Sequence, residues 1–165
     1  MSRAVLSIGS NIGDRLGYLQ LAVDGFAEHL VTVSPVFETP PWGVTEQQSF
    51  LNAVLIAEDP TATPADWLAR AQRCEQLAGR TREVRWGPRT LDVDVITVDQ
   101  LISDDPVLTL PHPRAAERAF VLVPWWAADP EAELPGRGKI LQLIEALPAG
   151  EADGVQLRPG LELRR

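Results

Sequence analysis

"FLNAVLIAE", residues 50–58, decides the fold. A half-buried strand would alternate apolar and polar residues, and a surface helix would show a stripe. This stretch is apolar almost throughout, so it reads as a strand covered on both faces and central in its sheet, with Asn52 as the polar exception. Upstream, "AVLSI" at 4–8 is strand-like and runs into "GSNIGD", turn formers whose Asp14 suits a helix cap. Leu16, Leu19, Val23, Phe26 and Leu30 then recur at intervals of three and four, which predicts one helix with a single apolar stripe. "VTVSPVFET" at 31–39 is rich in β-branched residues, and its Pro35 lacks an N–H for a ladder, which places it at a sheet edge or bulge. "PPWGVTEQQS" separates it from the central strand.

Downstream, Thr63 and Pro64 supply an N-cap and a favoured first helical residue. Trp67, Leu68, Ala71, Cys74 and Ala78 continue at helical spacing until Gly79. An arginine-rich loop and a strand over 91–98 follow. The order strand, helix, strand, strand, helix, strand predicts an α+β fold, a ferredoxin-like antiparallel sheet with two helices packed on it. The remainder reads as C-terminal additions: a hairpin signal at "SDDP", the proline-rich "TLPHPR", a short apolar helix near 120–128, another at 140–147, and a final strand pair around "RPG" at 158–160. No repeat or linker divides the 165 residues, so a single domain over 1–165 is expected.

Acidic residues outnumber basic ones, 23 to 15, and the net charge of -8 argues against a surface that coats nucleic acid or anionic lipid. The longest apolar run, "FVLVPWWAA", is about half of the roughly 20 residues a membrane span needs. The first ten residues lack a secretory leader's apolar core, and the single cysteine, Cys74, has no internal partner. A cytoplasmic protein without nucleic-acid or membrane partners is expected.

"RWGPRTLDVDVI", residues 85–96, carries the chemistry. Alternation along a strand puts Leu91, Val93 and Val95 on one face and Asp92 and Asp94 on the other, with alpha carbons roughly 6.6–6.8 Å apart. Like charges so close repel, and a divalent ion removes the conflict. Oxygen-only ligands favour Mg²⁺, which commonly takes one or two carboxylates plus phosphate oxygens. Arg80, Arg82, Arg85 and Arg89 share a short stretch with Gly79, Gly87 and Pro88, a composition that presents guanidinium forks to phosphate. Acids for Mg²⁺ beside arginines for phosphate are the two halves of a phosphoryl-transfer site. "GSNIGDR" is neither a dinucleotide fingerprint nor a Walker A loop, so a nucleotide is held in another way. Taken alone, the pattern leaves open solvent-facing aspartates paired with arginine, or a non-catalytic ferredoxin-like binding module.

"LSIGSNIGDR", "FETPPWG", "FLNAVLIAE", "RWGPRTLDVDVI" and "LTLPHPRAAERAFVLVPW" stand in one order over most of residues 4 to 130. Together they resemble the 6-hydroxymethyl-7,8-dihydropterin pyrophosphokinase family of the folate pathway. The resemblance implies transfer of pyrophosphate from ATP to the pterin's hydroxymethyl oxygen, with release of AMP. It implies that Asp92 and Asp94 bind two Mg²⁺ ions and that Arg80, Arg82 and Arg89 stabilise charge during transfer. Gln72, Glu75, Arg89, His112 and Arg118 match ATP-binding positions. Thr39, Pro40, Trp42, Phe50, Asn52, Asp92 and Phe120 match pterin-binding positions, with Phe50 and Phe120 as the two stacking rings. Phe50 replaces the tyrosine of some members, Pro113 follows the histidine where a tyrosine can occur, and Val107 stands where an arginine can occur, so neither Pro113 nor Val107 is assigned a nucleotide role. ATP and the hydroxymethyldihydropterin are the expected partners of a monomeric enzyme.

Overall fold

The computed structural model describes residues 2–39, 48–79 and 90–165. The stretch that reads as central is central. Strand β4 (Phe50–Asp59) pairs with β1 (Ser2–Ser10) along one side and with β2 (Leu30–Val33) and β3 (Phe37–Thr39) along the other. Helices α1 (Arg15–Gly25) and α2 (Pro64–Leu77) make the two crossovers, and β5 (Asp92–Val98) pairs with β1. Up to residue 98 this is the ferredoxin-like order, antiparallel at every pairing. Strands β6 (Glu133–Leu134) and β7 (Gly138–Lys139) pair as a separate short hairpin, and a two-residue strand, β8 (Gln156–Leu157), extends the main sheet beyond β3. Among the described residues no helix is long and apolar enough to cross a membrane.

The two faces of β4 explain its composition. Leu51, Ala53, Leu55 and Ala57 join Leu6, Ile8, Val93 and Val95 beneath α1 and α2, where Leu19, Val23, Phe26, Trp67 and Ala71 complete the core. Val54 and Ile56 face the other way, joining Val5 and Ile96 beneath α3 (Ala119–Ala128) and α4 (Ile140–Glu145). Leu55 and Ile56, neighbours on opposite faces, are both essentially sealed from solvent. Each such side chain contributes about 1.5–3 kcal/mol by burial. The C-terminal additions therefore form a second helical layer that seals the face the first two helices leave open.

Local chemistry sets the element ends. Asp14 accepts from Gly17 N at the start of α1, and Thr63 and Asp66 form a reciprocal capping box at the start of α2. Gly79, at φ +69, ends the α2 segment. Gly25 ends α1 where the helices touch, since a Cβ there would stand 2.7 Å from Cys74 Sγ.

Three elements differ from the sequence reading. The apolar stripe to Leu30 is not one helix: α1 stops at Gly25, a 3-10 turn covers 27–29, and Leu30 opens β2. The strand expected over 31–39 is broken in two around Pro35. Ser34 N donates to Val54 O, and Ser34 Oγ accepts from Val54 N at 2.8 Å, so a side chain replaces a ladder acceptor beside the proline. The last strand folds back on β3 rather than pairing across "RPG". Leu161 and Leu163 then pack against the core, and Gln20 exchanges two hydrogen bonds with the backbone of Arg164.

Candidate active site

Alternation along β5 holds as expected. Leu91, Val93 and Val95 are buried beneath α2, while Asp92 and Asp94 lie half-buried on the opposite face. Strand register shows what that face carries. Asp92 sits opposite Gly9, which on its other side sits opposite Asn52, which sits opposite Phe37. One residue along, Asp94 faces Ser7, and Ser7 faces Val54. Directly opposed residues share a face, so Asn52 and Asp92 flank a bare glycine across two interstrand spacings, about 10 Å. A Cβ on Gly9 would come to 3.1 Å from Asn52 Oδ1 and 3.6 Å from the Phe50 ring. The chain thus has a floor without a side chain between an amide and a carboxylate. Sequence reasoning gave Gly9 no role, although a glycine inside a strand is the known mark of close approach.

Among the described residues β5 is the edge strand of the sheet on this side, and side chains expected to bind nucleotide lie along it. Glu75, buried on α2, accepts from Val93 N at 2.9 Å, and His112 N donates to Ile96 O at 2.8 Å. These bonds pin the strand at positions flanking Asp94. Gln72 lies on α2, exposed to solvent and one turn before Glu75.

His112, Arg118 and Phe120 converge over the same region from the segment leading into α3. The Arg118 guanidinium lies over the Phe120 ring, 5.5 Å from its centroid. Burial draws Arg118 below its ordinary range, and the charges of Asp94 and, less strongly, Asp92 oppose that draw. Burial, with the charges of Arg118 and Arg114, lowers the His112 pKa to about 4. Its Nδ1 accepts from Arg114 N at 3.2 Å, which leaves the proton of the neutral ring on Nε2, a ready donor to an anion.

A pH dependence follows. The folded protein keeps His112 neutral down to about 4, whereas an unfolded chain takes up that proton near the ordinary 6.5. Acid therefore favours the unfolded state, and this contribution to stability is present above 6.5 and is lost as pH falls to about 4. Denaturant unfolding of the substrate-free protein should lose stability more steeply over that window than the His112→Gln variant does. Parallel pH profiles for the two proteins would contradict it.

Thr39, Phe50 and Asn52 occupy the far end of the same face. Thr39 is paired with Phe50 across β3 and β4, and Asn52 Nδ2 donates to Thr39 Oγ1 at 2.8 Å. That bond fixes the amide's orientation and leaves Oδ1 directed toward Gly9. Phe120 packs against the cluster of Phe37, Ala119 and Val155 above this end. Pro40, Trp42, Arg80, Arg82, Arg85 and Arg89 lie outside the described residues.

The fit of a cation rests on donor chemistry. Among the described residues no three His, Cys, Asp or Glu converge as a closed metal cage. Asp92 and Asp94 offer only oxygen, from adjacent positions on one strand face, and sites of this kind leave most of the coordination shell to water and phosphate.

Together these features define an α+β protein of ferredoxin-like order whose sheet face on the α3 side carries a candidate site, with Asp92 and Asp94 at one end and Asn52, Thr39 and Phe50 at the other. The family model described as "7,8-dihydro-6-hydroxymethylpterin-pyrophosphokinase (HPPK)" matches residues 5–130. The chain belongs to this family. It is 52% identical over 170 residues to the 2-amino-4-hydroxy-6-hydroxymethyldihydropteridine pyrophosphokinase of Mycobacterium leprae, covering 95% of this chain and 89% of that one. With the enzyme of that name from Mycobacterium tuberculosis it shares 48% over 176 residues, covering 99% and 94%. In fold it is similar to the crystal structure of Plasmodium falciparum wild-type HPPK-DHPS, at TM-score 0.65 and 13% identity, covering 87% of this chain and 44% of that longer one.

Proposed function

We propose that this protein carries out its family's reaction, transfer of the β,γ-pyrophosphoryl group of ATP to the hydroxymethyl oxygen of 6-hydroxymethyl-7,8-dihydropterin. A bond forms between that oxygen and the β-phosphorus as the bridge to the α-phosphorus breaks, AMP leaves with the bridging oxygen, and the hydroxyl proton passes to solvent. The observation that supports this most directly is the row Asn52–Gly9–Asp92. It joins a floor fit for a flat ring to a carboxylate whose neighbour, Asp94, lies within the field of Arg118.

In this reading Asn52, held by Thr39, reads the polar edge of the pterin with Oδ1 and its remaining N–H. Phe50 and Phe120 bracket the ring, and Pro40 and Trp42 are assigned to pterin binding by the family resemblance. Asp92 and Asp94 hold two Mg²⁺ ions, which when bound supply positive charge to the polyphosphate. Arg118 and the neutral His112 donate to phosphate oxygens, Gln72 and Glu75 line the nucleotide side, and Arg89 grips phosphate. Arg80 and Arg82 offset the charge that builds on the transferring group. The chain acts in the cytoplasm, as a single protomer. Incubation with ATP, Mg²⁺ and the reduced hydroxymethylpterin should give AMP and the pterin pyrophosphate in equal amounts. ADP as the nucleotide product, or no turnover, would overturn the assignment.

A further inference from the structure

The connection between β3 and β4 has two stems, and both carry pterin-site residues: Thr39 ends β3, Phe50 begins β4, and the two are paired. Behind them stands a group of charges that alternation assigns to the other face of the sheet. Arg15, the first residue of α1, donates through Nη1 to Glu38 Oε2 and to Ser49 O, both at 2.8 Å. Glu38 and Ser49 are the residues immediately before Thr39 and Phe50, so one guanidinium nitrogen ties the two stems together. Arg158 takes the other carboxylate oxygen of Glu38, and its backbone N donates to Val36 O at 2.9 Å. β8, just before Arg158, pairs with Phe37 and Glu38.

The local structure aims Arg15 at this spot. Gly13, at φ +68, turns the chain, Asp14 caps the helix, and Arg15 N donates to Gly13 O at 3.0 Å. The Glu38 side chain is about three-quarters removed from solvent, as is that of Arg15. Burial would raise the Glu38 pKa, and the hydrogen bonds and charges of the two arginines more than reverse that. Removal of either arginine weakens the compensation of a partly desolvated charge, and removal of Arg15 also unties Ser49. Preorganisation of a binding site acts on affinity by reducing the ordering cost paid when the ligand arrives.

We propose that Arg15, Glu38 and Arg158 form a positioning clamp that holds Thr39 and Phe50 in register and thereby sets affinity for the pterin, without touching substrate or acting on ATP. This rests on the pterin-site reading above. The test uses the full chain and its Arg15→Met, Arg15→Lys and Arg158→Met variants. Equilibrium titration with hydroxymethyldihydropterin, in the presence of an unreactive ATP analogue, gives pterin affinity independently of turnover. AMP formation gives kcat and the KM for ATP.

Arg15→Met should weaken pterin binding about tenfold, equivalent to about 1.4 kcal/mol, while the KM for ATP and kcat at saturating pterin change less than about threefold. Arg158→Met should have a smaller effect of the same kind, and Arg15→Lys, which keeps a donor and the charge, should recover part of the loss. Unchanged pterin affinity in Arg15→Met would overturn the clamp, as would equal losses in pterin affinity, ATP affinity and kcat, which mark general damage. If the unaltered chain binds the pterin yet makes no AMP, the functional assignment falls and the affinity comparison still decides the clamp. If it does not bind the pterin, both fall.

Discussion

Replacing Asp94 with asparagine is expected to lower kcat by about 10²–10³-fold while the protein stays folded. The side chains are nearly equal in volume, Asp94 is half-buried rather than sealed, and the strand pairing with Ser7 is a backbone matter. The change is therefore one of charge. An amide cannot hold a divalent cation as a carboxylate does, and ATP would meet the field of Arg118 without the acid that now balances it. AMP formation should be measured across a Mg²⁺ titration, with circular dichroism as the check on folding. A higher Mg²⁺ requirement alongside the lower kcat is the expected signature. Turnover near that of the unaltered chain at ordinary Mg²⁺ would remove the aspartate pair from the mechanism.

The Asn52→Leu variant probes the other end of the site. Asn52 is 3% exposed and spends one donor on Thr39, which leaves Oδ1 and one N–H for a ligand. Leucine keeps the bulk and removes every polar contact. Each buried ligand group left without its partner costs about 1–3 kcal/mol, so pterin affinity should fall by about 10- to 100-fold or more. ATP affinity should hold, because the groups proposed to bind nucleotide lie along β5, two strands away from Asn52. Direct titration with each ligand separates the two effects. A variant that binds pterin as tightly as the parent, or loses ATP affinity equally, would contradict the division of the face into a pterin end and a phosphate end.

Much of the sheet was legible because strands buried on two faces and strands that alternate leave different patterns. Continuous apolarity at 50–58 located the central strand, and alternation at 91–95 located the acids. The spacing to Leu30 misled because Phe26 and Leu30 are core residues for reasons outside one helix: the chain turns after Gly25 and still buries both. Pro35 signalled irregularity, but not that Ser34 would take over the ladder bond of Val54. The pairing of β8 with β3 was illegible, since two residues carry no periodicity and their partner lies far away in sequence.

The site divides in the same way. Carboxylates, histidine and rings announce themselves by type, whereas Gly9 acts by having no side chain and became visible only once register set it between Asn52 and Asp92. Arg15 has no role assigned from sequence, and its contacts depend on Glu38 and Ser49, which tertiary structure alone brings within reach.

Asp92 and Asp94 are proposed to hold divalent cations shared with a triphosphate beside the pterin. A crystal structure with Mg²⁺, an unreactive ATP analogue and hydroxymethyldihydropterin tests it most directly. Cations about 2.0–2.1 Å from carboxylate oxygens of both residues and from phosphate oxygens, with the pterin lying over Gly9, is the predicted result. A ternary complex in which both carboxylates turn away from metal and phosphate would contradict it.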